Sequence, residues 1–236
     1  MLEGAYMLRL RPTGNFQLTG LSGPYTGTAT TSIDVEADLA LGTRTVIPFG
    51  ARFHAKRFRI EGEYLQSTFS GDAILPREIL FQAVTLPAGD HVGTTLKLRD
   101  VSGSFRFELF SGAYSSLGIG ADLDVFRYSV ALADPARGLY PSDVKNIYAP
   151  VPHVGVSFFD GSRAFWLDVK FGYIKAKGSK AQKWRIESGY KIAENFGVTG
   201  GWRSFSGLWF DDRAPAPDDH IQLKLEQFYA GLFISF

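Results

Sequence analysis

Apolar and polar residues alternate with period two along most of the chain, the spacing of β-strands with one apolar and one mixed face. In RAFWLDVKFGYIKA, Phe165, Leu167, Val169, Phe171 and Tyr173 share one face, and Trp166, Asp168, Lys170 and Gly172 the other. LGIGADLDV sets Leu117, Ile119, Ala121, Leu123 and Val125 against Gly118, Gly120, Asp122 and Asp124. WRIESGYKI sets Trp184, Ile186 and Tyr190 against Arg185, Glu187, Gly189 and Lys191. The pattern predicts about ten strands, at roughly 5–18, 35–53, 57–70, 95–111, 116–131, 146–158, 163–176, 182–191, 196–210 and 221–236.

The connections carry the topology. Tight turns fall near 54–57 (HAKR), 112–115 (GAYS with its neighbours), 160–163 (DGSR) and 192–195 (IAEN). Between them lie longer polar or Gly/Pro-rich segments at about 19–34, 71–94, 132–145 and 211–220, with a shorter one near 177–181. Short and long connections alternate, as they do when successive strands of an up-and-down antiparallel barrel turn at opposite ends. The expected architecture is a single all-β domain over 1–236, a transmembrane barrel of about ten strands (range about 8–12). An even strand count brings both termini to the short-turn end. No linker, tandem repeat or low-complexity segment divides the chain.

Composition narrows the partners. Lys plus Arg number 25 and Asp plus Glu 24, a formal charge of +1 that offers no general attraction for nucleic acid. Cysteine is absent, which removes disulfides and thiolate chemistry. No stretch of about twenty apolar residues could cross a membrane as a helix. The opening MLEGAYMLRL lacks a basic segment followed by an apolar one, so the chain is expected to be a mature form with an added initiator Met and no signal peptide.

Aromatic residues gather near the predicted strand ends. Phe53, Phe58, Phe110, Tyr114, Phe158, Phe159 and Phe165 lie on the short-turn side; Tyr64, Phe69, Tyr128, Tyr148, Tyr173, Trp184, Trp209 and Phe210 lie toward the other rim, as in two interfacial girdles. The last strand ends YAGLFISF. Its Tyr229, Gly231, Ile234 and terminal Phe236 resemble the C-terminal assembly signal of bacterial outer-membrane β-barrel proteins. That resemblance, to a class and not to one family, implies the outer membrane of a Gram-negative-type bacterium. It also implies outer-membrane lipid and lipopolysaccharide as surroundings, and the barrel-assembly machinery as a partner during biogenesis.

With the apolar faces turned to lipid, the lumen receives Arg59, Glu61, Glu63, Arg106, Glu108, Asp122, Asp124, Asp168, Lys170, Arg185, Glu187 and Arg203. Arg9, Arg11, Asp38, Arg44, Arg52, His153 and Lys191 are assigned to it as well. A barrel of about ten strands is narrow, and these nearly balanced charges are expected to close much of it by pairing. The expected function is therefore non-enzymatic: a structural or anchoring barrel, or a narrow, porin-like, gated pore. Catalytic candidates are few. Asp218, Asp219 and His220 sit in the loop DDRAPAPDDH, and the Asp218–His220 spacing is similar to the Asp/His dyad of the omptin proteases, without a convincing second aspartate pair at that rim. A rim hydrolase is the alternative reading. The apolar segment 71–94 is expected to fold over the mouth, enter the lumen, or serve a ligand-binding or adhesion role. The scattered His54, His91, His153 and His220 make no metal site, Gly118 and Gly120 relieve crowding within a strand or mark a bend in it, and no cofactor is expected.

Overall fold

The computed structural model describes residues 2–17, 32–81, 84–176, 179–211 and 219–234. The strands, in chain order, are β1 Leu2–Gln17, β2 Ile33–Asp34, β3 Arg44–Val46, β4 Phe49–Ala55, β5 Phe58–Ile74, β6 Ile79–Phe81, β7 Val84–Leu86, β8 His91–Ser111, β9 Ser115–Ala133, β10 Ser142–Phe159, β11 Phe165–Ala176, β12 Ser179–Ala193, β13 Phe196–Asp211 and β14 Asp219–Ile234.

Each long strand pairs antiparallel with the next, and β14 pairs with β1, so the sheet closes on itself. Both β3 and β4 pair with β1 and act as one stave, which makes the wall ten-stranded among the described residues. Closure joins the first and last strands, so the sheet has no open edge strand, the condition for any β-structure that crosses a bilayer. The turns at 56–57, 112–114, 160–164 and 194–195 lie at the end where Leu2 pairs with Ile234. The opposite end carries the longer connections. One of these is short: β11 and β12 are separated only by 177–178.

The predicted strand at 35–53 differs. Residues 35–39 form a turn that Asp34 caps, its side chain accepting from the backbone N–H of Glu36 at 2.9 Å and of Ala37 at 2.6 Å. A carboxylate able to bond the backbone two and three residues ahead breaks an extended run.

The two faces exchange polarity partway along the strands. On β9, Leu117, Ile119, Leu123 and Val125 point outward below Arg127, Ser129 and Ala131, while Asp122 and Asp124 point inward below Phe126, Tyr128, Val130 and Leu132. On β8 the switch falls between Val101 and Arg99 outside and between Ser102 and Leu98 inside. The outward apolar run of β9, Leu117–Val125, is nine residues of a 19-residue strand. About 9–11 tilted residues cross a bilayer. The turn-end half is thus built for lipid outside and charge inside, and the loop-end half as a water-soluble barrel with an apolar core. Phe69 and Tyr128, expected in the outer girdle, are buried inside this upper half, whereas Tyr64, Tyr148, Tyr173 and Trp184 are exposed on the outside. Trp209 and Phe210 lie in β13, and their side chains are outside the described set.

One seam interrupts the wall. β10 pairs with β9 over its full length but with β11 only from His153↔Gly172 toward the turn end. Pro150 and Pro152 stand immediately above that point and have no N–H to donate, so the ladder to β11 ends there.

Candidate functional site

The lumen is the part of the molecule where polar chemistry concentrates. Nearest the turn end, Arg59 on β5 and Arg106 on β8 converge on Asp168 of β11, each donating from Nη1 to Oδ2, at 2.7 and 2.8 Å. Ser157 on β10 donates to the same oxygen at 2.6 Å and accepts from Arg106 Nη2 at 2.7 Å. Glu108 stands 3.6 Å from Arg59 and 3.8 Å from Arg106. All five side chains are buried. Two guanidiniums beside two carboxylates nearly cancel, which is what allows four charges to remain ionised away from water.

Arg106 reaches across because two small residues clear its path. A Cβ at Gly155 would lie 2.3 Å from Arg106 Nη1, and one at Gly118 would lie 2.9 Å from its Cγ. These inward positions of β10 and β9 therefore exclude a side chain.

The next layer joins β4, β5, β11 and β12. Arg185 grips Glu61 with both Nη atoms, at 2.6 and 3.2 Å. Arg52 donates to Glu187 at 2.7 Å and lies 3.0 Å from Glu61. The Tyr229 hydroxyl also donates to Glu187. Lys170 donates to Asp122 at 3.0 Å and to Ser104 at 3.1 Å, and His153 Nδ1 lies 3.1 Å from Asp122. Toward the loop end, Lys183 donates to both oxygens of Asp124 at 2.8 Å and lies 3.1 Å from Asp122; Arg203 pairs with Glu63 at 2.8 Å. The Lys170 and Lys183 pairs tie β11 and β12 to β9 across the seam at which the β10–β11 ladder stops.

Among these charges a cavity of about 90 Å³ remains, lined by Glu61, Asp124, Lys183 and Arg203 together with Phe126 and Phe205. That is room for a few waters. Beyond it the interior is apolar. The hairpin β6–β7, from the segment 71–94, folds into the barrel mouth and buries Ile79, Phe81 and Leu86 completely among Phe69, Leu96, Val130, Leu132 and Leu39. Its approach is latched on two sides: Arg77 donates to Asp38 at 2.6 Å and Arg137 lies 2.7 Å from Asp90. Hydrogen bonding from Arg77 to the Asp38 carboxylate raises the guanidinium above its already high range. At the other end, the Asp160 carboxyl accepts from the Ser162 hydroxyl and from the Phe165 backbone N–H, and is held below the usual carboxylate range.

Of the residues assigned to the lumen, Arg59, Glu61, Glu63, Arg106, Glu108, Asp122, Asp124, Asp168, Lys170, Arg185, Glu187 and Arg203 all enter these contacts, with Arg52 and His153. Arg44 and Lys191 do not belong: both are exposed, Lys191 beside the β12–β13 turn. Asp38 is buried under the outer loops, not among the wall charges. The side chains of Arg9 and Arg11 lie outside the described residues. Asp100 and Lys183 were not foreseen, though each shares the inward parity of its strand. Asp218 and Phe236 fall outside the described residues; Asp219 and His220 begin β14, opposite Asp211 and Phe210. In the terminal strand Tyr229 is buried, Gly231 pairs with Tyr6 and Thr199, and Ile234 is exposed.

No family model and no curated protein matches the sequence. Solved structures do. The outer membrane protease OmpT from Escherichia coli superposes with a TM-score of 0.58 at 12% identity, covering 99% of this chain and 95% of that one. Looser overlaps, with TM-scores of 0.39 and 0.36, are found with the attachment invasion locus protein Ail of Yersinia pestis (11% identity, 99% of each chain) and with Neisserial surface protein A (12% identity, 99% of this chain and 100% of that one). Together with the closed sheet and its outward apolar band, the OmpT superposition shows that this chain has the fold of the outer-membrane β-barrel proteins.

Proposed function

We propose that this protein is a closed, non-enzymatic barrel of the bacterial outer membrane, serving as a structural or anchoring element that displays its loop-end half outside the bilayer. The observation that carries this reading is the filled interior: a paired charge layer converging on Asp168 at one end and the β6–β7 hairpin buried in the mouth at the other. Open aqueous channels belong to barrels of about 16–18 strands, and ten strands leave an interior that side chains can fill. A water-filled path would need both layers to part.

Reconstitution into a planar bilayer tests it. A closed barrel gives no steady conductance, and single-channel steps of porin size would overturn the reading. Fractionation of the expressing cells tests the location: recovery in the inner membrane or the soluble fraction would contradict it. The hydrolase reading rests on Asp218, Asp219 and His220, and loss of a peptide- or lipid-hydrolysing activity in His220→Ala, with the barrel still folded, would establish it instead.

A further inference from the structure

The outward positions just beyond the apolar band form a registered row across four strands. Gln66 of β5 stands opposite Arg99 of β8, Arg99 opposite Arg127 of β9, and Arg127 opposite Asn146 of β10. The row beneath, in the same register, is Tyr64, Val101, Val125 and Tyr148. Tyrosines at the edge of an apolar band mark the headgroup level of a membrane, so the row above them lies among the headgroups.

Two arginines directly opposite one another on neighbouring strands destabilise a sheet unless an anion lies between them. None is supplied by the described residues: the row holds only amides and guanidiniums, and the next outward row, Thr68, Lys97, Ser129 and Val144, adds a third cation and no acid. Among the described residues no carboxylate pairs with Lys97, Arg99 or Arg127, all of which are exposed. Elsewhere on the outer wall the same problem is solved within the protein, where Lys224 lies 2.8 Å from Glu226. The Tyr64 hydroxyl donates to Gln66 Oε1 at 2.7 Å, which leaves the Gln66 amide hydrogens to donate away from the tyrosine.

We propose that the row Gln66–Arg99–Arg127–Asn146, with Lys97 beside it, binds the phosphate of an anionic lipid headgroup in the outer leaflet. Paired guanidiniums present parallel N–H donors that match phosphate oxygens, and the flanking amides add neutral donors. A lipid fits better than free phosphate because Val101, Val125 and Leu123 continue directly below the row, where the acyl chains of the same molecule would lie. The inference rests on the membrane reading above but not on the closed lumen.

The test is a titration of the folded, detergent-solubilised protein with phosphatidylglycerol, phosphatidylcholine or inorganic phosphate, bound lipid being counted by native mass spectrometry. The expected result is preferential retention of phosphatidylglycerol, with Kd rising about fivefold for each of Arg99→Gln and Arg127→Gln. Lys224→Gln should leave it unchanged. Equal retention of phosphatidylcholine, an unchanged Kd in the double variant, or displacement of the lipid by inorganic phosphate at similar concentration would overturn the proposal. Failure of the chain to fold in detergent at all would instead sink the membrane reading.

Discussion

Arg106 and Asp168 are 62 positions apart, on β8 and β11, yet Nη1 of one donates to Oδ2 of the other at 2.8 Å across the interior of the barrel. Arg59 reaches the same oxygen at 2.7 Å. One carboxylate therefore holds two buried cations, and its loss should cost far more than loss of a surface partner. Asp168→Asn is predicted to destabilise the folded barrel by about 3–5 kcal/mol, whereas Glu226→Gln, which frees the exposed Lys224, should cost about 1 kcal/mol or less. Denaturant unfolding in micelles compares them, and equal effects would show that the network carries no special weight.

Gly155 tests the same contact from the other side. A Cβ there would meet Arg106 Nη1 at 2.3 Å. Gly155→Ala should displace the guanidinium and destabilise the barrel, but have little effect when Arg106 is already alanine. A double-mutant cycle with no coupling would contradict the packing described here.

The exchange of faces along β9 predicts where charge is tolerated. Leu123→Arg puts a cation in the apolar band and should cost about 2–4 kcal/mol of folding into vesicles. Ala131→Arg, four outward positions further along the same face of the strand and opposite Thr95 and Ser142, should fold as the parent does. If both are tolerated, or both rejected, the membrane boundary does not lie between them.

Asp160 supplies a pH dependence at the β10–β11 turn. Its hydrogen bonds from Ser162 and the Phe165 N–H lower its pKa in the folded state. The stabilisation is thus complete above the ordinary carboxylate pKa and is lost as pH falls through the lower folded value. Hydrogen exchange at the Phe165 amide, corrected for intrinsic rates, should show protection that weakens on strong acidification in the parent and is weak at every pH in Asp160→Ala. Protection that rises on acidification would have the wrong sign.

Strand order and the charged half of the lumen were legible because period-two alternation assigns each residue to one of two faces. Lys183 could have been placed by the same parity that placed Arg185 and Glu187, and Asp100 by that of Arg106. What alternation does not carry is which face is inside. That depends on whether water or lipid surrounds the segment, and the surroundings change near Val101 and Val125. Phe69 and Tyr128 were accordingly read as girdle residues, although their parity is that of Glu63 and Asp124. The 35–43 region was misread for a local reason, the capping of a turn by Asp34. Cross-lumen partners such as Arg59 and Asp168 required the register, which emerges only when the sheet closes.

Conductance measured on the parent and on Phe81→Ala/Asp168→Asn, which loosens both closing layers at once, tests the closed lumen most directly. The parent should hold a planar bilayer silent under applied voltage, and the double variant, if folded, should show transient openings. Steady porin-sized steps from the parent protein would mean that the interior is a channel and that its paired charges line a path instead of closing one.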